Sequence, residues 1–235
     1  MVSENLGICR ERISRAAGRS GRPEQGVALV AVTKGVAPDA IEEALAAGAG
    51  DIGESRVQEA LAKHERLDRF ARRAGRALRW HLIGHLQTNK AREAVRIFDV
   101  IHSVDSVRVA EAIERHAARA DKKQRVLLEV NVSGEGSKYG FSPAETRADL
   151  ARIAAFPHVC VAGLMTVAPY SDDPERARPV FRRLRELRDE LNGLRIPGLG
   201  LRELSMGMTD DFEVAVEEGA TWVRLGRVLF GERHG

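Results

Sequence analysis

The chain has 235 residues, 43% hydrophobic and 30% charged, enough for one sizeable core and too polar for a set of membrane spans. Its 37 basic and 34 acidic residues nearly balance, so the net charge of +3 does not mark a polyanion binder, and the arginine-rich stretches at 66–79 and 182–190 lack the aromatic platforms that stack bases. Two cysteines, Cys9 and Cys160, are too few and too far apart for a disulfide framework or a metal motif, which suits a reducing compartment.

Val2, Leu6, Cys9, Ile13 and Ala16 recur at helical spacing, so residues 1–20 are expected to form an amphipathic helix packed on whatever follows. No apolar segment of signal or spanning length accompanies it, and a cytoplasmic protein is expected. Eight apolar, β-branched runs then read as strands, at 27–33, 51–54, 79–84, 100–105, 125–132, 158–168, 202–207 and 221–231. Helical stretches alternate with them. Pro38 stands in a first turn ahead of Ile41 and Leu45, and "SPAE" at 142–145 sets a capping serine three residues before a glutamate. Asp173 and Pro174 open another helix with Ala177, Val180, Phe181, Leu184 and Leu191 on one face, and Asp210 with Glu213 resembles a second capping box. Eight strands with seven helices between them and one in front predict a single-domain (β/α)8 TIM barrel spanning 1–235, of the α/β class, since closure leaves no edge strand. An open doubly wound sheet is the alternative.

The barrel gives Lys34 a meaning. The chain has six lysines, and this one stands where the first strand ends, on the face where barrel active sites are built. Its ordinary role is a side chain reaching solvent; its chemical role is an amine able to attack an aldehyde. Two later segments converge on the same face. "ELSMGMTDDFE" places Ser205 and Gly207 before a helix N-terminus, and "VRLGRVLFGE" places Arg224, Gly226 and Arg227 on the last strand and its exit, where barrels commonly hold phosphate. Closure sets that last strand beside the first.

With these residues in place, the stretches "LVAVTKGVAPDAIEEALAAGAGDIGESRVQEAL", "WHLIGHLQTNKAR", "IHSVDSVRVA", "LLEVNVSGEGSKYGF", "VAGLMTVAP" and "LSMGMTDDFEVAVEEGATWVRLGRVLFG" together resemble the pyridoxal phosphate homeostasis proteins, relatives of the N-terminal barrel of alanine racemase. The resemblance runs from Val27 to Glu232. It implies a fold-type III barrel that binds pyridoxal 5′-phosphate as an imine on Lys34. It further implies a phosphate cradle of Ser205, Gly207 and the backbone at Gly226 and Arg227, with Arg224 facing the pyridine nitrogen. Asn131 and Lys138 match polar residues near the cofactor's mouth, and Met165 is read as lining. His81 matches the family at the site, although it and His102 read first as structural histidines.

Departures from the family pattern are visible. Ser55 and Arg56 follow "GE" where an amide and an aromatic are usual, His85 replaces a proline, and Arg227 stands where threonine is common, giving up a hydroxyl for a guanidinium. An alanine racemase also uses a tyrosine base from a second, β-rich domain, whereas the tyrosines here, Tyr139 and Tyr170, belong to the barrel sequence. An arginine at the ring nitrogen keeps that nitrogen unprotonated and weakens the electron sink. The expectation is therefore a monomeric carrier or reservoir in vitamin B6 homeostasis. It would have little or no catalysis, and apo-enzymes that use the cofactor would receive it. No metal, nucleic acid or membrane is called for. A pyridoxal-phosphate-dependent amino-acid racemase or related enzyme is the alternative.

Overall fold

The computed structural model describes residues 1–23, 26–136 and 138–231; Glu232, where the resemblance ends, and the last residues of the expected 1–235 domain lie outside them. The expected strands appear as β1 (Ala28–Val32), β2 (Asp51–Glu54), β3 (Arg79–Leu82), β4 (Val100–Val104), β5 (Gln124–Glu129), β6 (Val159–Met165), β7 (Glu203–Ser205) and β8 (Trp222–Leu225). All neighbours pair in parallel and β8 closes onto β1, giving a closed eight-stranded barrel. Helix α1 (Val2–Arg19) precedes it. Helices α2 (Pro38–Ala46), α3 (Val57–Arg73), α4 (Ala91–Ile97), α5 (Val107–Arg119), α6 (Pro143–Ala154), α7 (Arg178–Gly193) and α8 (Phe212–Glu217) fill the crossovers, and the short α9 (Arg227–Phe230) follows β8.

Local chemistry accounts for the element ends. In α1 the whole anticipated stripe, Val2, Leu6, Cys9, Ile13 and Ala16, is buried. Arg12 reaches Glu213 at 3.0 Å and Arg22 donates to the Val216 carbonyl at 2.6 Å, fastening the N-terminal segment to α8. The α6 capping box forms as read, with Ser142 and Glu145 each taking the other's backbone N–H. Asp173 caps a 3-10 turn, Pro174–Ala177, that leads into α7.

Two expectations change. The apolar run 221–231 is not one strand: at Gly226 the backbone turns (φ −123°, ψ −75°), and the amides of Leu229 and Phe230 bond back to its carbonyl, opening α9. A short apolar run carries no period that separates strand from helix. The supposed capping box at Asp210 is absent as well. Asp211 is the N-cap of α8 and its carboxylate accepts the Met208 amide at 2.6 Å, while Asp210 pairs with Arg227.

Apolar residues divide into two bodies. The larger lies between barrel and helices, including Leu6, Ile41, Leu67, Phe98, Phe181 and Phe212. The smaller, Val30, Val100, Leu127, Ala162, Met165 and Trp222, draws on strands alone and fills the barrel's interior. Period-two alternation then sends Arg224, two residues past Trp222, and Gly53, two past Asp51, toward the axis as well. No described helix is long and apolar enough to cross a membrane.

Candidate cofactor site at the carboxyl end of the barrel

A cavity of about 600 Å³ opens at the carboxyl ends of the strands, lined by Val32, Lys34, Ser55, Ile83, Val167, Tyr170, Met208, Thr209, Asp210, Arg224, Gly226 and Arg227. Five expected site residues, Lys34, Ser55, Arg224, Gly226 and Arg227, thus meet in one place.

Lys34 is exposed on the loop leaving β1, and a buried ionic cluster holds that loop. Lys63, on α3 and 7% exposed, donates to the Thr33 carbonyl (2.7 Å), Glu54 Oε1 (2.8 Å) and Glu59 Oε1 (2.7 Å). Glu59 also takes the Gly35 amide, and Glu54 the Thr33 hydroxyl at 2.7 Å. Lys34 is therefore flanked on both sides by backbone that this cluster grips. Burial pushes the Glu54 carboxyl above its ordinary value despite the bonds from Lys63 and Thr33. Burial also acts to raise Glu59, but its bonds from Lys63 and the Gly35 amide outweigh that and bring it below. Nothing in the strand alternation alone announced this cluster; its one signal was Glu59 and Lys63 at helical i, i+4 spacing.

Arg224 forms the floor. It is 4% exposed, and it donates from Nη1 to Ser205 Oγ (2.7 Å) and from Nη2 to the Thr166 carbonyl (2.9 Å). Burial lowers its pKa to about 10, opposed by Asp211 and Glu129, so it stays a cation at neutral pH. Glu129, inward on β5, is raised to about 7, by burial first and then by Asp105, with Arg224 opposing.

The remaining expected residues fall elsewhere. Ser205 is fully buried beneath Arg224, and its hydroxyl is engaged by Arg224 and by His102 Nδ1 at 2.9 Å. Gly207 is structural in this geometry: at φ +93°, a Cβ there would lie 2.5 Å from Ala215 Cβ and 2.9 Å from Phe212 Cα, so only glycine lets α8 close onto β7. Neither lines the cavity. The polar residues that do, from the same segment, are Thr209 and Asp210, and Thr209 is the hydroxyl that the sequence reading passed over in favour of the serine. Met165 is buried in the interior cluster below. His81 is buried against Asp51 and His102. Asn131 shapes its own loop, donating to the Glu135 carbonyl (2.8 Å) and accepting the Gly134 amide (3.0 Å). Lys138 pairs with Glu135 at 2.9 Å and lines an adjoining cavity of about 300 Å³ that shares Val167, Tyr170, Met208 and Asp210 with the first.

Ser55 is held in place by its neighbour: a Cβ on Gly84 would come within 2.3 Å of the Ser55 carbonyl, so glycine permits the contact between the β2 and β3 exits. His85 stacks on Tyr139 (ring centroids 4.0 Å apart) and bonds Asp105 at 2.8 Å, which gives the unexpected histidine a place. The arginine-rich stretches are largely neutralised by ion pairs, Arg66 with Asp39 and Glu42, Arg182 and Arg185 with Glu218, and Arg183 with Glu190. Among the described residues no cluster of His, Cys, Asp or Glu could hold a metal.

Residues 5–234 match the family described as alanine racemase, N-terminal domain. The chain is 45% identical to the pyridoxal phosphate homeostasis protein of Aquifex aeolicus over 98% of this chain and 97% of that one. It is 40% identical to PipY of Synechococcus elongatus in a structure with PLP bound, with a TM-score of 0.83 and coverage of 98% and 100%. An alanine racemase of Clostridium difficile shares the fold at 15% identity and a TM-score of 0.71, the match covering 58% of that longer chain.

Proposed function

This chain belongs to the alanine racemase N-terminal domain family, and on that footing we propose that it binds pyridoxal 5′-phosphate in the cavity at the carboxyl end of the barrel and acts in cofactor homeostasis. The observation that carries the reading is the meeting of an exposed amine, Lys34, and a buried cation, Arg224, in one cavity of about 600 Å³. The donor set fits such a group: an amine for an aldehyde, a guanidinium for a pyridine nitrogen, and hydroxyl and amide donors for a phosphate. When bound, pyridoxal phosphate supplies an aldehyde carbon open to attack by an amine.

Lys34 is the attacking amine, and the Lys63 cluster holds the backbone on either side so that its side chain leaves the loop from one place. Arg224 has two of its nitrogens committed, to Ser205 and to the Thr166 carbonyl, and presents the rest of its donor edge to the cavity. The phosphate falls to the Thr209 hydroxyl and the amides of Gly226 and Arg227, which begin the short turn after β8 and lack intrahelical partners by position. The Ser205 hydroxyl acts one step back, through Arg224.

The carrier role, with little turnover, rests on what faces the cavity. Tyr170 lines it, but its phenol donates to Asp172 at 2.9 Å, and that bond raises the phenol above its ordinary value and keeps its proton on. Tyr139 stacks on His85 instead. Arg224 keeps a permanent charge where a proton-sharing acid would strengthen carbanion chemistry. The protein, in a reducing cytoplasm that suits its two free thiols, would hold a reactive aldehyde and release it to apo-enzymes.

Borohydride reduction of the protein loaded with pyridoxal phosphate, followed by peptide mass mapping, tests the binding reading. The expected result is one adduct, on Lys34, absent from a folded Lys34→Ala variant. An adduct of equal yield in that variant would place the cofactor on another amine. Incubation of the loaded protein with alanine in heavy water tests the carrier role: α-hydrogen exchange no faster than with free cofactor is expected, and rapid exchange would return the family's racemase chemistry to the front.

A further inference from the structure

A continuous row of buried hydrogen bonds runs down the barrel axis from the cavity floor. Arg224 Nη1 lies 2.7 Å from Ser205 Oγ, Ser205 Oγ 2.9 Å from His102 Nδ1, His102 Nε2 2.8 Å from His81 Nδ1, and His81 Nε2 2.8 Å from Asp51 Oδ1. Both rings, Ser205 and Arg224 are at most 4% exposed, and Trp222 closes the row from the side, its ring 5.0 Å from His102 and 5.3 Å from His81. At the far end Arg79 anchors Asp51 at 2.7 Å.

Donor and acceptor rules give this row one direction. A guanidinium only donates, so the Ser205 oxygen accepts from Arg224; an ionised carboxylate only accepts, so His81 carries its proton on Nε2. A neutral His81 then accepts at Nδ1, which puts the proton of His102 on Nε2. His102 Nδ1 in turn accepts the Ser205 hydroxyl. Every bond is satisfied with both rings neutral, and every donor points from Arg224 toward Asp51. A charged His81 would reverse two of these bonds and leave the Ser205 hydrogen aimed at two donors. The surroundings agree. Burial, with the Arg224 and Arg125 cations behind it, holds His102 well below its ordinary value. Burial tends to raise Asp51, but bonds from His81 and Arg79 bring its carboxyl down.

We propose that Asp51, His81, His102 and Ser205 are positioning residues that orient Arg224 from the far end of the barrel, and through it the pyridine ring that Arg224 faces. The proposal rests on the cofactor reading above and deepens it. It moves Ser205 from the phosphate to the ring side of the site, and it gives the two inward histidines a task that neither catalysis nor packing requires. The charged groups that face the row are Arg79 on β3, Arg125 on β5, and Glu129 and Asp211 beside Arg224.

Side-chain 15N–1H spectra of the protein without cofactor read the row directly. Near neutral pH both rings are expected neutral with the proton on Nε2. In Asp51→Leu the row loses its fixed end. A mixture of tautomers is then expected at His102, which does not touch Asp51, together with an increase of about tenfold in the pyridoxal phosphate dissociation constant. Asp51→Asn keeps an acceptor oxygen for His81 and is expected to retain the wild-type tautomers. Where Asp51→Leu does not fold, Ser205→Ala serves, with the same loss of affinity expected and recovery in Ser205→Thr. An imidazolium or an Nδ1–H tautomer in the wild type, or unchanged affinity in both Asp51→Leu and Ser205→Ala, overturns the proposal. Should the wild type show the expected tautomers and yet bind no cofactor, the cofactor reading falls first and takes the proposal's functional half with it. Normal cofactor binding with the wrong tautomers overturns the row alone.

Discussion

Two buried polar networks flank the cavity, and they differ in what they hold. On the β1–β2 side, Lys63 sits between Glu54 and Glu59, and the network ends on backbone, at the Thr33 carbonyl and the Gly35 amide. On the β7–β8 side, the row from Asp51 to Ser205 ends on a side chain, Arg224. The first fixes where the Lys34 amine leaves the chain and leaves that amine exposed. The second fixes the donor edge of a cation that is itself buried. A nucleophile needs a free end, whereas a cation facing a ring needs an oriented one, and each network supplies what its terminus requires.

The sharpest way to break this comparison is to remove the centre of the first network. Lys63→Met leaves two carboxylates, one of them fully buried, without their cation, and removing one partner from a buried pair costs about 3–5 kcal/mol. Urea unfolding should show that loss. Covalent retention of pyridoxal phosphate should also fall, although Lys63 does not line the cavity. Retention at the wild-type level in a folded Lys63→Met protein would mean that the loop needs no clamp.

The second test separates the networks by pH, through Glu129 beside Arg224. Its folded pKa, about 7, lies above the ordinary 4.5, so between those values the folded state binds more proton than the unfolded one. Stability attributable to this group is then present at low pH and is lost as pH rises from 4.5 to 7, a slope that integrates to at most about 3 kcal/mol. Glu129→Gln removes the slope. Its advantage over wild type in unfolding free energy should grow from pH 5 to pH 8, while the Lys63 cluster adds no difference between the two proteins. A constant offset across that range would place the Glu129 carboxyl in water rather than in the barrel.

The two networks also mark how far the sequence could be read. Barrel, helix order and the convergence of Lys34 with Arg224 followed from alternation and closure, because burial pattern and strand order are written one residue at a time. The networks were not legible in the same way. Asp51, His81, His102 and Ser205 come from β2, β3, β4 and β7, and each looks like an isolated polar residue until barrel closure aligns them. Ser205 and Thr209 show the limit at finer scale. Both are hydroxyl residues of the same stretch, but which one reaches the cavity depends on the turn at Gly207, whose φ of +93° drops Ser205 below the floor and lifts Thr209 to the rim. The end of β8 was misread because its apolar run carries on into α9 without a change of composition.

The smallest expected effect belongs to the rim, and it sharpens the comparison by standing outside both networks. Arg227 comes three residues after Arg224, yet its side chain is 53% exposed and paired with Asp210, itself 47% exposed. An exposed pair of this kind contributes less than about 1 kcal/mol, so Arg227→Ala should leave unfolding almost unchanged, in contrast to any substitution at Arg224. Binding is where Arg227 should register. It lines the cavity beside the amides proposed for the phosphate, so its charge attracts that phosphate across solvent, and solvent-screened attraction fades once the Debye length falls to a few ångströms. The dissociation constant for pyridoxal phosphate should therefore rise about threefold in Arg227→Ala at low ionic strength and match wild type at roughly 1 M salt. A loss that persists at high salt would mean a direct guanidinium–phosphate bond, with Asp210 giving up its partner when the cofactor enters.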